Sequence, residues 1–234
     1  MATTTNVFWA LSAVILLKAT AIQSQGYSAE QSSQCPEQHG EQTYPHPDYC
    51  DQFYLCTNGT LTLEQCGNGL LYDGKGAAYH HCNYHWAVDC GNRKAELVPI
   101  SSPGCEYQFG LFSDGSACST DYVKCEHGSP YKLPCEPGLA YDDRIKKCNW
   151  PDELVDLGCS PADIIGFSCP DKIDPHSISA KFEPYPRFAL PGDSHRLITC
   201  VHGHPRLISC GEDSVVDESS LTCVEKESHY RKRK

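Results

Sequence analysis

Residues 50–66 read CDQFYLCTNGTLTLEQC, two alternating runs that meet at Asn58-Gly59, with cysteines at 50, 56 and 66. Alternation places successive side chains on opposite faces of a strand. Asn-Gly between two such runs is the strongest short-range hairpin signal, because both central positions of the tight turn need positive φ. The stretch predicts an antiparallel hairpin held by disulfides. It also recurs: nine residues separate Cys56 from Cys66, Cys125 from Cys135 and Cys200 from Cys210, and Gly59, Gly128 and Gly203 each stand three residues after the earlier cysteine.

Anchoring on that gap sorts the 16 cysteines into groups of six, six and four. The first is Cys35, Cys50, Cys56, Cys66, Cys82 and Cys90, and the second is Cys105, Cys118, Cys125, Cys135, Cys148 and Cys159. The third, Cys169, Cys200, Cys210 and Cys223, lacks the second and sixth members, with Ser194 in the second place. Six cysteines leave about fifteen pairings open. If every remaining cysteine is paired, however, joint loss of two positions implies that those two bond each other, which gives Cys50 with Cys90 and Cys118 with Cys159. The fold class is therefore small disulfide-rich β: three tandem cysteine-stapled modules, each a short antiparallel hairpin or sheet with long loops, the third degenerate. Helical periodicity is absent across the modules.

Units of about 55 residues bury too little surface to rest on an apolar core alone. Each bridge closing a loop of roughly 20 residues adds on the order of 3 kcal/mol. Such cysteine density requires an oxidising compartment, and the apolar run Val7 to Leu17 with Ala19-Thr20-Ala21 reads as a signal peptide over 1–21. Eleven apolar-leaning residues are too few for a membrane span, so the mature chain is expected to be secreted, with no membrane partner. Removing Lys18 with the leader shifts the formal net charge from −11 to −12, which disfavours nucleic acid as a partner. The basic end, Arg231 to Lys234, reads as a frayed tail. Gly91 to Gly104 and Ser160 to Ser168 read as short linkers, and an insertion rich in Pro and aromatics around Phe182, Tyr185 and Phe188 lengthens the third group.

Aromatics recur at fixed distances from the cysteines. Tyr44 and Phe112 precede the second cysteine by six, with Phe188 matching them before Ser194. Phe53 and Tyr122 precede the third by three, Tyr72 and Tyr141 follow the fourth by six, and Tyr84 and Trp150 follow the fifth by two. Tyr72 and Tyr141 suit a small core. Parity places Tyr54 with the buried cysteines and turns Phe53 and Tyr122 toward an exposed face, where rings call for a ligand. Flat rings on a rigid, weakly charged surface stack on the apolar C–H faces of sugars, at about 1 kcal/mol each by analogy with aromatic pairs. Repeated modules point to a repeating polymer.

No nucleophile elbow or His-Glu-x-x-His helix is present, and units this small offer no cleft for paired carboxylates, so no catalytic residue is assigned. Asp142 with Asp143 reads as a turn pair. His80, His81 and His85, or His202 with His204, lack companion ligands, so neither metal nor cofactor is expected. Asn58-Gly59-Thr60 forms a glycosylation sequon on the turn, making Asn58 the acceptor. The rival function is a secreted inhibitor or ligand on a disulfide scaffold.

The cysteine order, with CDQFYLCTNG, CGNGLLYDG, CEPGLAYDD and CNWPD, resembles the type 2 chitin-binding (peritrophin-A) module. Three such units after a leader resemble the obstructor family of arthropod cuticle proteins. The resemblance implies module 1 over 32–93, module 2 over 102–160 and a degenerate module 3 over 166–226, followed by a tail over 227–234. It implies a non-catalytic structural role in cuticle, with chitin and other matrix proteins as partners and contacts through Tyr44, Phe53, Tyr54, Tyr72, Tyr84, Phe112, Tyr122, Tyr141 and Trp150. It further implies first-to-third and fourth-to-fifth bonding: Cys35 with Cys56, Cys66 with Cys82, Cys105 with Cys125, Cys135 with Cys148, Cys169 with Cys200 and Cys210 with Cys223. Because module 3 departs from the motif, binding is expected to reside in modules 1 and 2.

Overall fold

The computed structural model describes residues 35–226, and the expected leader over 1–21 and tail over 227–234 lie outside the described residues. One plan is built three times. Module 1 has an antiparallel sheet of β1 (Glu41–Pro45), β2 (Gln52–Thr57) and β3 (Thr60–Gln65), then a hairpin of β4 (Leu70–Tyr72) and β5 (Cys82–Tyr84). Module 2 repeats it with β6 (Gly110–Ser113), β7 (Asp121–Glu126) and β8 (Ser129–Pro134), then β9 (Ala140–Asp142) and β10 (Lys147–Asn149). Module 3 uses β11 (Arg187–Ala189), β12 (Arg196–Val201) and β13 (His204–Ser209), then β14 (Ser214–Asp217) and β15 (Thr222–Glu225).

The long strands of each sheet turn on two residues of positive φ: Asn58 and Gly59 at 47° and 81°, His127 and Gly128 at 51° and 76°, His202 and Gly203 at 50° and 84°. Asn and His tolerate the left-handed region better than most side chains, and glycine completes the turn. The registers coincide as well, with Cys56 opposite Leu61, Cys125 opposite Pro130 and Cys200 opposite Pro205.

Eight bridges join Cys35–Cys56, Cys50–Cys90, Cys66–Cys82, Cys105–Cys125, Cys118–Cys159, Cys135–Cys148, Cys169–Cys200 and Cys210–Cys223, and no cysteine is free. A backbone pair fastens each hairpin to its sheet. The Tyr72, Tyr141 and Val216 amides donate to the Cys50, Ser119 and Ser194 carbonyls, each at 2.8 Å. Ser194 thus occupies the backbone place of Cys50, whereas in module 2 that place belongs to Ser119 and Cys118 lies one residue earlier at φ 58°.

The sheet and hairpin clasp a repeated core pair. Phe53 stacks on Tyr72 with centroids 4.9 Å apart and 15° between planes, and Tyr122 stacks on Tyr141 at 5.3 Å and 18°. At the same two offsets in module 3, Leu197 and Val216 share one buried cluster. Loss of these rings from module 3 therefore exchanges aromatic for aliphatic filling. The expectation that Phe53 and Tyr122 face outward is overturned, since Phe53 is only 3% exposed and Tyr122 is half-buried. Parity does separate Phe53 from Cys56, but both faces of β2 are covered. The Cys66–Cys82 hairpin closes over the Phe53 face, and the Cys35–Cys56 bridge ties the N-terminal segment to the other.

The second linker contains a short helix that period reading misses. In α1 (Pro161–Ile165), Ser160 is the N-cap, accepting the Asp163 amide, Pro161 starts the first turn and Gly166 ends the helix at φ 73°. Five residues are too few to display periodicity, and only the capping residues signal them. α1 packs on β13 and so belongs to the joint between modules 2 and 3.

Candidate functional site

The recurring aromatics separate by role. Tyr44, Phe112 and Phe188 lie on the outer strands at one register position, opposite Tyr54, Val123 and Ile198. The Tyr44 hydroxyl donates to the Glu37 carboxylate at 2.5 Å, and Tyr54 stacks on His46 at 5.5 Å and 21°. Phe53, Tyr72 and Tyr141 are interior, and Tyr122 is half-buried in its stack on Tyr141. The Tyr72 hydroxyl donates to Thr43 Oγ1 at 2.9 Å, whereas Tyr141 Oη is buried with no hydrogen-bond partner among the described residues. The corresponding strand position in module 2 is Leu111, whose side chain has no acceptor, and burial pushes the Tyr141 hydroxyl pKa well above its ordinary value.

The two remaining rings, Tyr84 and Trp150, sit where modules meet. Tyr84 stacks face to face on Trp86, 4.7 Å and 3°, and lies within electrostatic reach of Lys124, Glu126 and Tyr122 of module 2. Burial pushes its hydroxyl pKa up while Lys124 opposes. Lys146 of module 2 brings its ammonium 5.8 Å from the Trp86 centroid and 5.7 Å from that of Phe112. Trp86 was not singled out by any cysteine offset shared with module 2; its signal was its rarity, one of three tryptophans, beside a recurring tyrosine.

This first joint is locked from module 1 by the CGNG turn. Asn68 Nδ2 donates to the Val98 carbonyl at 2.7 Å, its Oδ1 accepts the Ile100 amide at 2.9 Å, and its carbonyl accepts the Phe109 amide at 3.0 Å. Phe109 of module 2 is buried in the module 1 core and packs on Tyr79 and His127. Gly69 has φ 95°, and a Cβ there would lie 2.3 Å from the Phe109 carbonyl oxygen.

The second joint reuses the same offset. A Cβ on Gly138, at φ 88°, would lie 2.9 Å from Leu207 of module 3. Arg206 of module 3 grips both Asp152 oxygens, bonds Glu153 at 3.1 Å and places its guanidinium 5.2 Å from the Trp150 centroid. Pro137, Leu139, Trp150, Leu207 and Ile208 line an open groove between the modules.

Asp142 ends β9 and Asp143 begins the turn that follows, so the expected turn pair straddles the strand end. Asp142 is buried and accepts Arg144 Nε at 2.9 Å, Nη2 at 3.0 Å and the Arg144 amide at 3.1 Å. These bonds hold its carboxyl below the ordinary 3.8. With the folded value depressed, the contribution to stability is present above about pH 4 and is lost as pH falls through the folded value. Chemical denaturation of the full chain between pH 6 and pH 2 should show module 2 weakening at the acid end, and Arg144→Gln should flatten that slope; an unchanged slope rejects the pair as its source.

The histidines serve as packing groups. His80 packs against Tyr79, His81 against Phe53 with its Nε2 3.1 Å from Glu41, and His85 against Trp86 and Tyr107. Asn58 is exposed on its turn, its Oδ1 accepting the Gly40 amide at 3.0 Å.

Comparison with known proteins matches residues 35–90 and 105–156 to the family described as Chitin binding Peritrophin-A domain. The chain is 32% identical to protein obstructor-E of Drosophila melanogaster over 207 residues, 85% of this chain and 81% of that protein. It is 24% identical to peritrophin-1 of Anopheles gambiae over 60% of this chain and 94% of that protein. A 28% match to probable chitinase 10 of Drosophila melanogaster spans 67% of this chain but only 7% of that protein.

Proposed function

The chain belongs to the obstructor family of peritrophin-A chitin-binding proteins, and from that membership we propose a secreted, non-catalytic structural protein that holds chitin at several points through aromatic side chains. The observation that carries the multivalent reading is the placement of half-buried rings along modules 1 and 2 and at both joints: Tyr44, Tyr54, Tyr84, Phe112 and Trp150. Their partial exposure leaves ring surface for a pyranose face. Phe53, Tyr72 and Tyr141, being interior, act by holding the surface rings in place. The match to a chitinase is confined to a small part of that much longer protein, which suits a binding module without its catalytic unit. Matrix proteins alongside chitin, an extracellular location and a glycan at Asn58 complete this reading.

Retention on chitin beads, with cellulose as control, tests it. The oxidised full chain should be held by chitin and pass through cellulose. A Tyr84→Ala/Trp150→Ala variant should lose retention about tenfold, two stacking contacts at about 0.5–1.5 kcal/mol each, while replacing the exposed Tyr131 should change little. Folded protein that washes through chitin rejects the reading.

A further inference from the structure

We propose that modules 1 and 2 present one shared saccharide platform across their joint, built from Tyr84 and Trp86 of module 1 with Phe112, Lys124 and Lys146 of module 2. A polymer strand would then be gripped by a rigid two-module unit rather than by independent beads. The inference rests on the chitin reading above and adds where, and over what length, the polymer is held.

Three observations converge on this joint. First, rings from both modules meet there: Trp86 and Phe112 flank one ammonium, that of Lys146, at 5.8 and 5.7 Å, and all of these side chains are partly exposed. Secondly, the charges are matched locally although the chain carries a net −11. Lys124 bonds Glu126 at 2.6 Å and Lys146 bonds Asp143 at 2.8 Å. A charge-balanced, ring-bearing surface complements a neutral polymer rather than a polyanion or a membrane. Each ammonium still has further N–H donors after its carboxylate bond, and the Tyr84 hydroxyl adds another, all suited to the hydroxyl and amide oxygens of a sugar rim.

Thirdly, the joint is preorganised. The Asn68 bonds to the linker, the burial of Phe109 in the module 1 core and the close approach of Gly69 to the Phe109 backbone tie the two modules together. Ligand contacts on both sides are therefore made without a new ordering cost, and the second contact gains from high effective concentration.

The test uses the full chain and N-acetylglucosamine oligomers from the disaccharide to the hexasaccharide, with binding followed by calorimetry. Wild-type affinity should continue to rise through the longest oligomers. Asn68→Ala/Phe109→Asp, which undocks the modules, should bind the shortest oligomers as wild type does and the longest about tenfold more weakly or worse. Trp86→Ala, at a partly exposed ring outside the module cores, should lose about tenfold on the long oligomers, and it decides the matter if the undocked variant folds poorly. Wild-type affinity that levels off at the shortest oligomers, or long-oligomer binding unchanged in Trp86→Ala, overturns the shared platform while leaving the chitin reading intact. Failure of the wild-type chain to bind any oligomer sinks both.

Discussion

Phe53→Ala should unfold module 1 before it can report on any ligand. The ring is 3% exposed, stacks on Tyr72 at 4.9 Å, and shares a cluster with Cys66, Leu70 and Cys82. Phe→Ala at such a site typically costs about 3–5 kcal/mol. At about 4–8 °C per kcal/mol for a domain of this size, that lowers the melting temperature of module 1 by on the order of 15–30 °C. Trp86→Ala, made beside it, should leave melting nearly unchanged. If Phe53→Ala melts as wild type does yet loses chitin retention, the ring acts as a surface contact after all and its assignment to the core is wrong.

The Cys66→Ser/Cys82→Ser pair is the second large effect. That bridge closes a 16-residue separation, worth about 3 kcal/mol in the chain-entropy account, and it holds the hairpin of β4 and β5 over the Phe53 face. Its loss both loosens the unfolded chain and uncovers the ring pair. Denaturant titration should show module 1 unfolding first, with the Phe109 contact to module 2 released in the same step, because that ring is seated in the module 1 core. The matching Cys210→Ser/Cys223→Ser change in module 3 should leave the unfolding of module 1 where it was. A single shared transition shifted equally by both variants would show that the modules do not unfold as separable units.

Much of this molecule was legible in one line of sequence. The nine-residue gap, the glycine three residues into it and the vacant second and sixth positions led to three repeated sheets, to the Cys50–Cys90 and Cys118–Cys159 bridges and to Ser194 as the stand-in for a cysteine. Those inferences rest on local backbone geometry and on covalent bonds. Turn residues report positive φ directly, and a disulfide leaves its trace as paired presence and absence.

The candidate site was legible only in part. Fixed offsets found the rings but could not sort them, because a core-filling ring and a ligand ring recur at the same offset when the scaffold repeats. Alternation along β2 told which side chains point together, not what covers each face; the hairpin that buries Phe53 returns from residues 70–84 and declares itself only when folded. Trp86, Asn68 and Phe109 carry no offset shared by the modules and become visible at the joint. Sequence by itself determined the modules, their turns and the second-to-sixth bridges, since these depend on neighbours a few residues apart or on bonds whose partners vanish together; the other six bridges followed from the family resemblance. Tertiary structure alone decided which rings are buried and how module 1 seats module 2, because burial is set by whatever distant part of the chain packs against a surface, and no local spacing encodes that.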